Sequence, residues 1–164
     1  MSRHSPTTGY TPEHDLTIMR QALEQATIGE QLGEVPVGAV LTIDSAPAAV
    51  GHNQPISTND PTGHAEITVL RQACRQLGNY RLPRNSCLYV TLEPCIMCMG
   101  ALIHARLDRL VYGARDPKTG AVESCYRIGR DGLLNHNIEV TGGLLADESS
   151  RLLKNFFRKR RKNR

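Results

Sequence analysis

The chain has 164 residues, a length that fits one domain with a core large enough to fold without cross-links. Its apolar runs are too short to cross a bilayer and its first residues lack the apolar segment of a signal peptide, so we expect a cytoplasmic protein without membrane contact. Five cysteines, an odd number, argue against a disulfide framework and favour a reducing compartment.

The net charge of +4 is distributed unevenly along the chain. Residues 149–164 contain eight Lys or Arg and no acid, whereas residues 1–148 contain twelve bases against sixteen acids. A basic terminal element on an acidic body is what a phosphate-backbone partner would favour. Charge alone leaves open a second interpretation, in which this segment only solubilises the protein.

Helices and strands are predicted to alternate along the chain. Residues 1–11, which are rich in Ser, Thr, Pro and Gly, predict a flexible tail in front of a single domain over residues 12–164. Helices are predicted over residues 12–32, 64–77, 95–105 and 146–159. Strands are predicted over residues 35–43, 48–52, 87–91, 109–112 and 136–140, with a hairpin turn at residues 44–47. This order predicts an α/β fold, a three-layer α/β/α sandwich around a mixed five-stranded sheet.

Two short motifs indicate a hydrolytic metal site. His64 and Glu66 lie in the motif HAE, and Cys95 and Cys98 lie in PCIMC about thirty positions downstream. One His and two Cys make three ligands, and a catalytic zinc ion usually has three protein ligands and one position for water. Glu66 is predicted to act as a general acid and base beside that water, not as a ligand.

Both motifs are predicted to lie at helix N-termini. Pro94 suits the first position of a helix, which would place Cys95 and Cys98 one turn apart. The free amides and the positive dipole at that end favour thiolates. His64 follows a turn-like stretch at residues 60–63 and precedes an apolar-periodic run, so it should also open a helix. Two helix N-termini can then converge on one metal ion.

Each motif taken alone has a simpler explanation. A CxxC pair is also typical of a redox pair or of two buried thiols, and HAE alone carries little information. The combination, with a proline before the first cysteine, favours zinc. Cys74, Cys87 and Cys125 are predicted to be packing residues rather than ligands.

Two adjacent aromatic residues, Phe156 and Phe157, precede the basic cluster in a chain with two Phe and no Trp. Apolar residues at roughly helical spacing over residues 144–156 predict that one face of the terminal helix packs on the body. The other Phe could then stack on a nucleic-acid base, although both could simply anchor the helix.

The HAE and PCIMC motifs resemble those of the cytidine deaminase superfamily of zinc hydrolases. Longer segments resemble the bacterial tRNA-specific adenosine deaminases along nearly the whole chain from residue 12. These segments are EVPVGAV at 34–40, Asn53, DPTGHAE at 60–66, LYVTLEPCIMCMGALIHAR at 88–106, YGARDPKTGA at 112–121 and LLADESSRLLKNFFRKRR at 144–161.

The resemblance implies a cytidine-deaminase-like fold and hydrolytic deamination of the wobble adenosine of a tRNA anticodon to inosine. It also implies one Zn²⁺ per subunit, a homodimer, the tRNA anticodon stem-loop as partner, and no organic cofactor. In the implied mechanism, zinc activates a water molecule that attacks C6 of adenine, while Glu66 accepts its proton and protonates the ring nitrogen and the departing amine.

The resemblance also implies residues that contact the base. Asn53 would hydrogen-bond the flipped base, Val35 and Val37 would form the apolar walls of its pocket, and the backbone at Ala65 would face it. Asn53 could instead be a turn cap.

Further residues are implied to contact the RNA. Asp116 would approach a ribose of the anticodon loop, although it could instead be an ordinary loop residue before Pro117. Lys118 would contact a phosphate. Phe157, Arg160 and Arg161 would flank the splayed loop.

Two departures from the family pattern leave every functional group in place: Gly63 stands where alanine is frequent, and Pro117 stiffens the loop beside Asp116. Two other classes of protein remain possible from the sequence. One is a deaminase of free purines or pyrimidines, for which the basic segment would be incidental. The other is a non-catalytic RNA-binding protein, which the presence of Glu66 disfavours.

Overall fold

A mixed five-stranded sheet forms the centre of the computed structural model, which describes residues 9–164. The strand order is β2-β1-β3-β4-β5. The strands are β1 (Gly38–Ile43), β2 (Ala46–His52), β3 (Ser86–Leu92), β4 (Arg109–Ala114) and β5 (Glu139–Gly142). β1 is antiparallel to both β2 and β3, whereas β3, β4 and β5 run parallel to one another.

Helices cover both faces of this sheet. They are α1 (Pro12–Gln31), α2 (Pro55–Thr58), α3 (Ala65–Leu77), α4 (Ile96–His104) and α5 (Ala146–Lys162). Alternate residues of the strands point to opposite faces. On β3, Tyr89 packs with residues of α1, while Leu88 and Val90 pack with residues of α3 and α4. α5 contacts α1 and β4. The predicted three-layer sandwich is confirmed.

The hairpin turn is shorter than the predicted turn at residues 44–47. Only Asp44 and Ser45 form it, with φ of 49° and 66°, so Ala46 and Pro47 belong to β2. Positive φ at both positions matches the twist of paired strands in a two-residue hairpin. Pro47 is tolerated because β2 lies at the edge of the sheet.

Other bounds differ by a few residues. β1 begins at Gly38 instead of residue 35, β5 lies slightly later than predicted, and α5 continues to Lys162. The short helix α2 was not predicted.

Most of the predicted N-terminal tail lies outside the described residues. Its last two residues are part of the domain. Thr11 is the N-cap of α1, where its Oγ1 accepts a hydrogen bond from the amide of His14 at 3.1 Å. The hydroxyl of Tyr10 donates to the carbonyl oxygen of Asn85 at 2.8 Å. The domain therefore starts before residue 12.

The cysteines are all free thiols, as the odd count predicted. Cys87 is buried and Cys74 is half-buried. Cys125 is exposed, so its predicted packing role is wrong. It lies in a surface loop, where its Sγ is 3.2 Å from the carbonyl oxygen of Pro117. In the part of the chain from residue 9 onward, no helix combines the length and apolarity needed to cross a membrane.

The terminal helix α5 has one apolar and one basic face. Phe156 is 8% exposed, whereas Phe157 is 43% exposed. One of the two aromatic side chains thus packs on the body and the other faces outward, as the spacing predicted. Residues 158–164 are all exposed. The predicted start of this helix at residue 146 is confirmed, and Leu145, with a φ of 54°, lies just before it.

Candidate functional site

The three predicted metal ligands lie at the N-termini of two helices. His64 is the N-cap of α3, Cys95 is the N-cap of α4, and Cys98 lies in the first turn of α4. The Nδ1 atom of His64 is 3.6 Å from the Sγ atom of Cys95 and 3.5 Å from that of Cys98. Within residues 9–164, this is the one group of three His, Cys, Asp or Glu side chains arranged to hold a metal ion.

The start of α4 differs from the prediction in one respect. Pro94 was expected at the first helical position, but α4 begins at Ile96 and Cys95 caps it. The carbonyl oxygen of Pro94 instead accepts a hydrogen bond from the amide of Ala121 at 2.9 Å. The two cysteines nevertheless remain one helical turn apart.

The ligand separations fit a tetrahedral zinc ion. With Zn–N of about 2.1 Å and Zn–S of about 2.3 Å, tetrahedral angles place the nitrogen and sulfur atoms about 3.5 to 3.6 Å apart. The observed separations of 3.5 and 3.6 Å agree with this value. One imidazole and two thiolates are also ligands that zinc favours. The group can therefore hold a zinc ion and leave one coordination position free.

Hydrogen bonding within the group prepares the thiols for a metal ion. A hydrogen bond from Cys98, assisted by His64, lowers the pKa of Cys95 to about 4. The pKa of Cys98 is raised because its thiol donates that bond and because it is buried. The hydrogen bond between His64 and Cys95 raises the pKa of His64. These shifts favour the thiolate form of Cys95, and a metal ion bound to the group would displace the proton on Cys98.

Glu66 lies in the first turn of α3 and is 4% exposed. Burial raises the pKa of its carboxyl group to about 7. A group with a pKa near neutrality can both accept and return a proton under cellular conditions. A buried carboxyl group with the pKa that a proton-transfer group needs thus lies two positions after His64 in the chain.

The residues predicted to contact the base are linked by direct hydrogen bonds. The Oδ1 atom of Asn53 accepts from the amide of Ala65 at 2.9 Å, and the amide of Asn53 donates to the carbonyl oxygen of Val37 at 3.0 Å. Asn53 thus binds the first amide of α3 from outside that helix, and its predicted contact with the base stays a prediction. Its Nδ2 group has no hydrogen-bond partner among the described residues and stays available to a ligand. Val37 and Ala65 are buried, and Val35 is half-buried.

Asp116 organises its own loop. Its carboxylate accepts hydrogen bonds from the amides of Lys118 and Thr119 at 3.0 and 3.2 Å, and from the Thr119 hydroxyl at 2.6 Å. These hydrogen bonds agree with a structural role for Asp116 in its loop, and its predicted approach to a ribose stays a prediction. The side chain of Lys118 is exposed. Gly120 forms an isolated β-bridge with Cys95, so this loop lies directly beside the metal ligands.

Phe157, Arg160 and Arg161 lie outside the metal cluster, on α5. The guanidinium of Arg160 stacks over the ring of Phe156 with its carbon 5.3 Å from the ring centroid. Lys159 pairs with Glu30 at 3.4 Å near the end of α1, and α1 leads into the segment that contains Val35.

Two buried carboxylates near the site were missed by the sequence analysis. Glu34 is 0% exposed and accepts hydrogen bonds from the amides of Ile56 and Ser57 at 3.3 and 2.7 Å, which fixes α2 beside the segment that contains Val35. Glu93 is 2% exposed and precedes the Pro94-Cys95 pair. In the sequence, the sign of these buried carboxylates was a single acidic residue in each of two otherwise apolar segments, EVPV and LEPC.

Comparisons with known proteins agree with this geometry. A family model described as MafB19-like deaminase matches residues 13–161. The tRNA-specific adenosine deaminase of Haemophilus influenzae is 52% identical over 93% of this chain and 88% of its own length. The enzyme of the same name from Bacillus subtilis is 40% identical, with 92% of each chain covered. This chain belongs to the tRNA-specific adenosine deaminase family. It is a hydrolytic deaminase.

Solved structures support the assignment of this deaminase. One, from studies of A-to-I editing by tRNA deaminases at the wobble position of transfer RNA, has a TM-score of 0.80 and 47% identity and covers 84% of this deaminase and 99% of that chain. The guanine deaminase of Bacillus subtilis has a TM-score of 0.58 and 40% identity, with 65% of this chain and 66% of that chain covered. The cytidine-deaminase-like fold of this deaminase is thereby confirmed.

Proposed function

We propose that this deaminase converts the wobble adenosine of a tRNA anticodon to inosine. The observation that carries the proposal is the three-ligand cluster beside the buried carboxyl group of Glu66, in a chain that matches a wobble-position tRNA deaminase over 99% of that structure. The guanine deaminase match covers 66% of its structure and supports a shared fold with a different substrate.

In this proposal His64, Cys95 and Cys98 hold one zinc ion. When bound, the zinc ion acts as a Lewis acid that lowers the pKa of water. Glu66 takes the proton from the attacking water and delivers it to the ring nitrogen N1 of adenine as the water oxygen bonds to C6. Glu66 then takes the remaining proton from the new C6 hydroxyl group and transfers it to the amine. The C6–N bond breaks, ammonia leaves and C6 becomes a carbonyl. Water is consumed, a 6-oxo purine forms, and no organic cofactor is needed.

The flipped base would occupy the space between residues 35–37, which precede β1, and the N-terminus of α3. Val35 and Val37 would pack on its faces, and the backbone of Ala65 would lie at its edge. The free Nδ2 group of Asn53 would donate to a ring nitrogen. Two hydrogen bonds support this pocket: the amide of Asn53 donates to the carbonyl oxygen of Val37, and the Oδ1 atom of Asn53 accepts from the amide of Ala65.

Changing Asn53 should separate its two roles. In Asn53→Asp an oxygen can still accept from the Ala65 amide, but the donor to the base is lost. We expect kcat/KM for tRNA to fall about 10- to 100-fold with thermal stability largely kept. In Asn53→Ala the buried Ala65 amide also loses its partner, which should cost about 1 to 3 kcal/mol of unfolding free energy. Wild-type activity in Asn53→Asp would remove this side chain from the site.

The RNA would be held by the 116–120 loop and by α5. Asp116 would approach a ribose hydroxyl, and Lys118 would contact a phosphate. Phe157 would stack on an exposed base, while Arg160 and Arg161 would bind phosphates beside the splayed loop. The exposure of Phe157 and of the whole basic segment supports these roles.

Removing residues 158–164 should weaken tRNA binding and flatten its salt dependence. Six basic residues are lost, while buried Phe156 still anchors the shortened helix and exposed Phe157 is kept. We expect the Kd for tRNA at about 100 mM salt to rise at least about tenfold, with a smaller slope of log Kd against log salt. A truncation that removes only residues 162–164 keeps Arg160 and Arg161 and serves as the control. Unchanged affinity at low salt would contradict an RNA-binding role.

We further propose a cytoplasmic homodimer, in line with the family resemblance. Light scattering that gives the mass of a single 18.1 kDa chain at working concentration would contradict the dimer.

The proposal is tested with a tRNA transcript that carries adenosine at the first anticodon position. Sequencing of its cDNA should show that position read as guanosine after incubation, because inosine pairs with cytidine. A transcript with guanosine at that position serves as the template control. Failure to convert the adenosine in a zinc-loaded preparation would contradict the proposal.

A further inference from the structure

Glu93 lies directly before the metal-bearing turn and is buried. Its Oε2 atom accepts hydrogen bonds from the amides of Val122, Glu123 and Ser124 at 3.3, 3.3 and 3.1 Å. Its Oε1 atom accepts from the hydroxyl of Ser124 at 2.6 Å. Four donors from one short segment therefore surround a single carboxylate.

The same segment is bound to the metal-bearing turn through its backbone. The amide of Glu93 donates to the carbonyl oxygen of Ala114 at 2.8 Å, and the amide of Ala121 donates to that of Pro94 at 2.9 Å. Gly120 forms its bridge with Cys95. A Cβ atom at Gly120 would lie 2.0 Å from the Oε2 atom of Glu93, so only glycine allows the chain to wrap this closely. Residues 114–124 thus enclose the carboxylate.

This enclosure makes the loop conformation depend on Glu93. A buried carboxylate without hydrogen-bond donors is strongly destabilised, because burial removes its hydration and no protein donor replaces the lost hydrogen bonds. Here the donors are loop amides, which bind an ionised oxygen more strongly than a neutral one. The loop therefore has one strongly favoured position, and that position is defined relative to Cys95.

We propose that Glu93 is a positioning residue that fixes the 116–124 loop to the metal-bearing turn. Its effect on RNA passes through Asp116 and Lys118, which the loop carries, and Glu93 itself contacts no substrate. The proposal rests on the function proposed above. Through its hydrogen bonds to residues 122–124, Glu93 holds the loop against the turn that carries Cys95, so the RNA contacts and the reacting centre keep one fixed separation.

Glu93→Gln tests this role, because glutamine keeps the shape but replaces one accepting oxygen by an NH2 group. We expect amide hydrogen exchange at Val122, Glu123 and Ser124 to accelerate by about tenfold or more, with exchange in β3 unchanged. KM for tRNA should rise about tenfold, kcat should change much less, and zinc content should stay the same. Ser124→Ala removes one donor and should give smaller changes in the same direction.

Glu13→Gln is the control, since it changes the net charge equally at an exposed residue of α1, outside the metal cluster, the 116–124 loop and α5. It should leave exchange and KM at wild-type values. Unchanged exchange at residues 122–124 in Glu93→Gln would overturn the proposal, as would a loss of zinc that accompanies the rise in KM. If wild-type protein fails to convert tRNA, the function proposed above fails, while the exchange measurement still decides whether Glu93 fixes the loop.

Discussion

Replacing Glu66 by glutamine should leave one zinc ion per chain and lower the turnover of tRNA adenosine by about 10²- to 10⁴-fold. Glutamine has nearly the same shape but cannot accept a proton from water or return one to the amine. The buried position of Glu66 is compatible with this change, because a neutral amide replaces a carboxyl whose pKa is already raised to about 7 by burial. Folding and zinc binding should therefore persist.

Zinc content by elemental analysis and single-turnover inosine formation on the same preparation measure the two effects separately. Glu13→Gln, an equal change of charge at an exposed residue of α1, should retain both properties. If Glu66→Gln loses zinc in proportion to activity, Glu66 is a ligand and its assigned role is wrong. If turnover is unchanged, another group transfers the proton.

Replacing Cys98 by serine should abolish both zinc binding and activity. Cys98 is buried, and its Sγ atom lies 3.5 Å from the Nδ1 atom of His64, so its loss leaves only two ligands at the N-termini of α3 and α4. In zinc proteins, substitution of a residue that only hydrogen-bonds to a metal ligand lowers the affinity for the metal about 10- to 100-fold. Loss of a ligand itself should lower that affinity further. The variant should also lose the thermal stabilisation that zinc confers on the native state.

The same substitution at exposed Cys125 provides a matched control, because that thiol lies 3.2 Å from the carbonyl oxygen of Pro117 and not in the metal group. Cys125→Ser should bind zinc and convert tRNA as the wild type does. Stoichiometric zinc in Cys98→Ser, or loss of zinc in Cys125→Ser, would contradict the assigned ligand set. Chelation of the wild type should lower its Tm, and added zinc should restore it.

Much of the fold could be predicted because the relevant signals are local. The apolar periodicity after His64 and the turn before it identify the start of α3, and the spacing of Cys95 and Cys98 is one helical turn. The opposite environments of Phe156 and Phe157 follow from the helical period alone.

The errors arise where tertiary contacts decide the local structure. Pro94 binds the amide of Ala121 and so lies before the helix rather than in it. Cys125 resembles a packing residue by type, but its loop lies on the surface. The roles of Glu34 and Glu93 could not be predicted, because their partners are more than twenty positions away in the chain.

The central claim is that a zinc-activated water and Glu66 act on an adenosine held in RNA. The most direct measurement is kcat/KM for an anticodon stem-loop with adenosine at the wobble position, compared with free adenosine and free guanine under the same conditions. We predict efficient conversion of the RNA adenosine to inosine and no measurable conversion of either free compound. A higher kcat/KM for free guanine than for the stem-loop would contradict the claim.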